Sequence, residues 1–238
     1  MSELCTSFIN GGWTSGEGAE RIPVISPIDE TLVAEIAQAD AAEVDHAVRA
    51  ARKAFVAGTW RNAPVSKRQS VLRRIAALIR EKVDVLAERE CANAGLPIRQ
   101  IRERHVQRAA ANFEFFADFI GQTANECYEQ EPPFLTIVRR EPVGIAALVA
   151  PWNAPLALAT MEMAGALAFG NCCILKPSEL TPLEFVPLFE LMKEAGVPDG
   201  VVDQFDYEFW KANFGAVLSL GSGSGGGSGQ FATAVEEV

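Results

Sequence analysis

The stretch "VAPWNAPLALATMEMAGALAFGNCCILKPSE", residues 149–179, decides the expected fold. It begins with the end of an apolar run, breaks at Trp152-Asn153, continues as an apolar segment of helical length and ends in a second apolar run, Cys172–Leu175. A strand, a helix and a second strand in this order are typical of a parallel, doubly wound sheet. Polar side chains follow both strands, at the edge where open α/β sheets bind ligands. The sequence therefore predicts an α/β fold with a ligand site at this edge.

The bulk composition excludes several classes of protein. The chain has 238 residues, 49% of them hydrophobic, which is enough for one large domain or two small ones. A net charge of −10 disfavours nucleic acid and anionic membranes as partners. No run of 18 uncharged apolar residues occurs and the N-terminus has no secretory leader pattern, so we expect no membrane span and a cytoplasmic location.

The cysteines and histidines predict neither disulfides nor a metal site. Five scattered cysteines without a CxxC pair are typical of free thiols in a reducing compartment. His46 and His105 lie far apart, and neither has metal-ligand spacing to a cysteine. Cys172 and Cys173 fall inside an apolar run, where burial makes a thiol inert rather than nucleophilic.

Strand signals lie at both ends of the N-terminal half. Residues 8–37 read as short strands with turns, and Asn10-Gly11 predicts a hairpin. Residues 135–140 alternate apolar and polar side chains, which is typical of an edge strand that needs a partner. Residues 145–150 are entirely apolar, which predicts a central strand buried on both faces.

Helices are expected between these strands. The first follows Asp40, which has capping-box spacing to Glu43. A second is predicted over 66–94 and a third over 97–120, where phenylalanines at three-residue spacing indicate a packing face. Four segments result: strands and helices over 1–134, an arm-like strand over 135–141, a parallel β-α-β-α unit over 142–202 and an aromatic, Gly/Ser-rich tail over 203–238.

The tail contains a glycine pattern with two interpretations. Residues 221–226 fit the G-x-G-x-x-G form of a dinucleotide-binding turn. The same residues are all glycine and serine, which is the composition of a flexible linker. The linker interpretation is favoured, because too few residues follow to form the second strand of a dinucleotide-binding unit.

Several motifs together resemble the aldehyde dehydrogenase superfamily. They are "FINGGW", "REPVGIAALVAPWNAP", "GNCCILKPSE" and "AGVPDGVV", which occur in the family's order across about residues 8–202. The resemblance implies a Rossmann-type parallel sheet with N-terminal helices and an extended oligomerisation arm. It also implies NAD-dependent oxidation of an aldehyde to a carboxylic acid, in a protein that forms homo-oligomers or associates with a complementary chain.

The resemblance also assigns candidate site residues. Asn153 corresponds to the family's oxyanion donor, although from the residues alone it is equally a helix cap. Lys176 and Glu179 correspond to residues that contact the adenosine ribose, and a carboxylate there favours NAD over NADP because it repels a 2′-phosphate. An ordinary surface ion pair is the alternative for these two. The neighbouring cofactor-contacting positions are Ala150, Pro151, Trp152 and Ser178.

The catalytic cysteine and glutamate of the family have no counterpart in this sequence. Segments of the "GGQ.C" and "ELGGK" type, which carry the nucleophile and the general base, do not occur. We therefore expect a truncated member that is inactive alone. The alternatives are a non-catalytic binding or oligomerisation module and an engineered chimera joined by the Gly/Ser segment.

Overall fold

The computed structural model describes residues 3–204, apart from the side chain of Gln130. The predictions for residues 205–238, including the glycine pattern, lie outside the described residues. The strands are β1 (Glu3–Cys5), β2 (Phe8–Ile9), β3 (Gly12–Trp13), β4 (Arg21–Ile25), β5 (Leu32–Ala37), β6 (Glu126–Glu131), β7 (Phe134–Val138), β8 (Ile145–Val149), β9 (Cys172–Lys176) and β10 (Val202–Gln204). The helices are α1 (Ala41–Ala57), α2 (Val65–Glu81), α3 (Val83–Ala94), α4 (Ile98–Gln100), α5 (Val106–Phe119), α6 (Pro155–Ala168) and α7 (Phe185–Glu194).

The main sheet has five strands in the order β3-β2-β10-β9-β8. Strands β8, β9 and β10 are parallel and are connected by α6 and α7, which confirms the predicted β-α-β-α unit. Helices α1 and α6 pack against these strands, and α2 and α5 pack together and onto α6. The apolar faces of the helices and strand β9 form one continuous core. Helices α1, α2 and α5, which precede the parallel unit in the sequence, therefore pack with it in the same core.

The position of β8 corrects the sequence prediction. The apolar run 145–150 predicts a central strand, but β8 is the last strand of the sheet and pairs only with β9 among the described residues. Ala147 and Val149 are exposed, whereas every residue of β9 is buried. The apolar composition of β8 is typical of a strand with two neighbours, but within residues 3–204 only β9 pairs with it.

The helix predictions are confirmed with one correction. Asp40 caps α1 by accepting a hydrogen bond from the Glu43 amide at 2.8 Å. The helix expected over 66–94 is two helices, because the chain turns at Lys82 between α2 and α3. Helical residues over 98–122 include a π-helical segment, Ile101–His105, before α5. None of the helices in residues 3–204 is long and apolar enough to cross a bilayer.

Of the two hairpins in the structure, one confirms the prediction at Asn10-Gly11 and the other corrects the prediction of a single arm strand. Asn10 and Gly11 have φ values of 52° and 79°, as the two central residues of a type I′ turn require, and they join β2 to β3. The extended arm is also a hairpin, since β7 pairs with β6, a strand that the sequence did not predict. Every residue of β7 is exposed, so the arm extends away from the core.

Candidate functional site

The edge of the sheet after β8 and β9 brings the predicted site residues together. The two strands are parallel, with Val149 opposite Lys176, so their chains leave the sheet side by side. The Ala150 amide still donates to the Lys176 carbonyl at 3.0 Å, which extends the pairing by one residue. Ala150 is buried, whereas Pro151 and Trp152 are exposed. The segment after β8 therefore turns out of the sheet into an open edge.

Asn153 lies exposed at this edge, just before α6. The N-cap of α6 is Ala154, and no side chain caps the helix, so Asn153 does not act as the cap that its position suggested. Its side-chain amide forms no hydrogen bond with another residue of the described chain. The first-turn N–H groups of α6 and the positive end of its dipole lie beside it. This arrangement can stabilise a negative charge that develops on a bound oxygen.

Lys176 and Glu179 lie at the end of the neighbouring strand. The Lys176 side chain is almost fully buried, and its ammonium lies 4.0 Å from a carboxylate oxygen of Glu179. This is longer than a hydrogen bond, and about a third of the Glu179 side chain is exposed. Glu179 is therefore able to accept hydrogen bonds from a ligand at the edge. Ser178 is buried, and its hydroxyl accepts a hydrogen bond from the Leu180 amide at 3.3 Å.

The two cysteines of β9 do not have the environment of a nucleophile. Cys172 and Cys173 are fully buried in β9, as predicted. Burial, with the nearby Asp203 as a smaller cause, raises the pKa of the Cys172 thiol to about 11. Burial also raises the pKa of Cys173. Both side chains are therefore protonated at neutral pH, and neither supplies a thiolate. Residues 3–204 also contain no group of three or more His, Cys, Asp or Glu side chains arranged to hold a metal ion.

Asp203 is a buried carboxylate that the sequence analysis did not single out. It lies in the middle of β10 and is fully buried. One carboxylate oxygen accepts a hydrogen bond from the Asn10 amide at 2.7 Å, and the other has no partner among the described residues. Burial raises the pKa of Asp203 to about 6, and the charge of Asp199 adds to this effect.

An apolar pocket of about 370 Å³ lies between α5 and α6. Asn112 ties the two helices together, because its side-chain amide donates to the Ala157 carbonyl at 2.8 Å and to the Thr160 hydroxyl at 3.1 Å. Phe115 and Met161 line the pocket and are exposed. The prediction of a packing face for the phenylalanines is correct for Phe113 and wrong for the exposed Phe119. The pocket opens on the helix that starts beside Asn153.

Comparison with known proteins assigns the family. The profile of the aldehyde dehydrogenase family matches residues 13–206. The chain belongs to the aldehyde dehydrogenase family. It is 37% identical over 196 residues to the NADP/NAD-dependent aldehyde dehydrogenase PuuC of Escherichia coli K12, and 38% identical over 198 residues to 2-hydroxymuconic semialdehyde dehydrogenase of Pseudomonas sp. CF600. Each match covers 82% of this chain and 40% of the relative.

Solved aldehyde dehydrogenases have the same fold over the described part of the chain. The NAD⁺ complex of an aldehyde dehydrogenase from Bacillus cereus matches with a TM-score of 0.83 at 32% identity, over 86% of this chain and 42% of that one. A putative aldehyde dehydrogenase from Burkholderia cenocepacia matches with a TM-score of 0.82 at 37% identity, over 86% and 41%. The chain thus spans about 40% of the length of the curated relatives that it matches, and the fold is the aldehyde dehydrogenase α/β fold in part.

Proposed function

We propose that this chain supplies the adenosine-binding half of an NAD-dependent aldehyde dehydrogenase site, together with the oxyanion donor. One observation carries the proposal: Asn153 and Glu179 occupy the carboxyl ends of two adjacent parallel strands, at an edge that is open to a ligand. In the common doubly wound order 3-2-1-4-5-6, β10, β9 and β8 correspond to strands 3, 2 and 1. The cofactor crevice in that order lies beside strand 1, and β8 is the last strand of the sheet within residues 3–204.

The donor set at this edge fits a nicotinamide dinucleotide. The Glu179 carboxylate accepts from ribose hydroxyls, and the Lys176 ammonium beside it donates. Trp152 is 57% exposed and offers a flat apolar wall beside the strand ends. When bound, the cofactor supplies a hydride acceptor. Asn153 holds the aldehyde oxygen through its side-chain N–H, and a single donor of this kind contributes about 3 kcal/mol to transition-state stabilisation.

The choice between cofactors provides a test of the Glu179 assignment. The PuuC relative is named for both NADP and NAD. Residues 3–204 supply only one half of the crevice, so we expect weak NAD binding, with a dissociation constant of about 1 mM or ~−4 kcal/mol, and weaker NADP binding. Glu179→Ser is expected to reduce the difference between the NAD and NADP affinities, because it removes the charge that repels the 2′-phosphate. Saturation-transfer NMR with each cofactor measures the effect.

Two variants control for this result. Lys176→Ala is expected to weaken both cofactors, since the ammonium serves the ribose and not the phosphate. Glu194→Ser removes a carboxylate that is exposed on α7 and pairs with Arg74, and it should leave both signals unchanged. Equal NAD and NADP signals in the unmodified chain, or an unchanged NAD-to-NADP signal ratio after Glu179→Ser, would show that Glu179 does not contact the adenosine ribose.

The apolar pocket supports an apolar aldehyde as the substrate class. Met161 lies on α6, eight residues after Asn153, which precedes the helix, so the pocket is about 10 Å along the helix axis from the proposed oxyanion donor. Phe115, Phe116 and Met161 provide the apolar surface. An aldehyde whose oxygen accepts from Asn153 can extend a hydrocarbon or aromatic body of that length towards the pocket. The named relatives are an aldehyde dehydrogenase and a semialdehyde dehydrogenase. The proposal of an apolar substrate therefore rests on the pocket and not on membership of the family.

A binding or oligomerisation module is the second candidate, and the arm favours it. The side chains of Phe134, Leu135 and Ile137 are exposed, at 71%, 61% and 60%. Apolar side chains in such a contiguous exposed strand are typical of a surface that another polypeptide covers. Association through the arm, with a second copy or a complementary chain, is compatible with the dehydrogenase proposal and does not require it.

A further inference from the structure

A cleft of about 530 Å³ lies at the C-terminal end of α6, away from the cofactor edge. Since α6 has 14 residues, this end is about 20 Å from Asn153. Four arginines from two stretches of the chain line the cleft, and Glu141 is its single carboxylate among the described residues. They are Arg61, Arg68, Arg139 and Arg140. A local charge of about +3 is unusual on a protein with a net charge of −10, and it calls for an explanation.

Two of these arginines have structural partners that account for part of their charge. Arg140 donates to the Ala124 carbonyl at 2.6 Å and pairs with Glu126 at 2.7 Å. The Arg68 Nε donates to the Ala168 carbonyl at 3.0 Å, which stabilises the C-terminus of α6. The Arg68 Nη1 also donates to the Ala63 carbonyl at 2.5 Å and to the Arg61 carbonyl at 3.4 Å. These partners are neutral: Arg68 forms no ion pair with a described carboxylate, and burial lowers the pKa of its guanidinium. A partly buried cation without a counter-ion is costly, so an anion in the cleft would offset this cost.

The other two arginines face the cleft without comparable partners. The Arg61 guanidinium lies over the Phe55 ring, 4.9 Å from its centre, and no described carboxylate pairs with it. Arg139 lies 3.8 Å from Glu141, and both side chains are about 70% exposed, at 73% and 70%. An exposed pair at this distance contributes little to stability. Both guanidinium groups therefore have donors available, and guanidinium groups bind phosphate and carboxylate oxygens in pairs.

The remaining walls of the cleft are mostly apolar. Phe55, Ile120 and Phe169 lie beside the arginines, and three uncharged polar side chains also line the cleft, those of Asn62, Thr123 and Asn125. A volume of about 530 Å³ is large for an inorganic ion and lies within the range of small-molecule sites. We propose that this cleft binds a small organic dianion, with a phosphate or paired-carboxylate head group on the arginines and an apolar body against Phe55 and Phe169.

Titration calorimetry at constant ionic strength tests this proposal. Phenyl phosphate and phthalate are the probes for the two head groups, and inorganic phosphate is the probe for the head group alone. We expect saturable one-to-one binding of at least one aromatic dianion, tighter than inorganic phosphate. The tighter of the two aromatic probes identifies the head group. Arg61→Ala and Arg139→Ala should each weaken it by about tenfold or more, since each removes charged hydrogen bonds.

Arg52→Ala is the matched control. Arg52 is exposed on α1 and does not line the cleft, so the substitution removes the same charge from the same region. Unchanged binding in Arg52→Ala with weaker binding in Arg61→Ala supports the proposal. Three results overturn it: no saturable binding of either aromatic dianion, an equal loss in Arg52→Ala, or inorganic phosphate that binds as tightly as both aromatic probes.

Discussion

A polypeptide of these 238 residues is expected to form no NADH from aldehyde and NAD. The reaction needs a thiolate close to Asn153, and the described cysteines near the sheet, Cys172 and Cys173, are fully buried with raised thiol pKa values. Segments like those that carry the family's nucleophile and general base do not occur in the sequence. The absorbance at 340 nm with several aliphatic and aromatic aldehydes measures the expected absence of turnover.

If turnover is observed, two cysteine variants identify the thiol that is responsible. Turnover that survives in Cys172→Ser and in Cys173→Ser would show that another cysteine of the chain is the nucleophile. Turnover that either substitution abolishes would show that β9 opens and exposes its thiols. Each result would contradict the proposal that this chain carries the cofactor half and the oxyanion donor without the nucleophile.

Asp203→Asn is expected to raise the free energy of unfolding at pH 8 by about 3 kcal/mol. The pKa of Asp203 rises from its ordinary 3.8 to about 6 in the folded protein, so the folded state binds more protons than the unfolded state between these values. The favourable contribution of the protonated carboxyl is present below pH 4 and is lost as the pH rises through 6. The loss amounts to about 1.4 kcal/mol for each pH unit between the unfolded and folded pKa values. The asparagine keeps an acceptor for the Asn10 amide and carries no charge.

Urea denaturation at several pH values measures this effect. The two proteins should have similar stability below about pH 4, should diverge between about pH 4 and 6 with a midpoint near pH 5, and should differ by a constant amount above that range. Asp118→Asn is the control, because Asp118 is exposed and pairs with Arg73 at the surface, where such a pair contributes up to about 1 kcal/mol. A stability difference between Asp203→Asn and the unmodified chain that does not change with pH would show that Asp203 is not the titrating group.

The sequence predicts correctly those features that depend on residues close together in the chain. The Asn10-Gly11 turn, the Asp40 cap and the buried strand at Cys172–Lys176 follow from side-chain chemistry within a few positions. The break at Lys82 was not predictable in this way, because neither glycine nor proline marks it. Strand β6 was also missed, since it is polar and depends on pairing with β7.

Features that combine distant segments could not be predicted from the pattern alone. The apolar composition of β8 predicts a strand with two neighbours, but β8 is the last strand of the sheet within residues 3–204. The composition of one strand does not determine its position in the sheet. Asn153 had two equal interpretations until the structure placed Ala154 at the cap. The arginine cleft joins α1, α2, the residues before β8 and the end of α6, so no single stretch of sequence contains its signal.

Hydrogen–deuterium exchange with and without NAD tests the central claim most directly, which is that the cofactor occupies the edge after β8 and β9. The experiment uses NAD at about ten times its dissociation constant, so that most sites are filled. We predict slower exchange of the backbone amides in residues 150–153 and 178–180, with no change in the hairpin of β6 and β7. Unchanged exchange at both strand ends, or protection confined to the arginine cleft at residues 61–68 and 139–142, would contradict it.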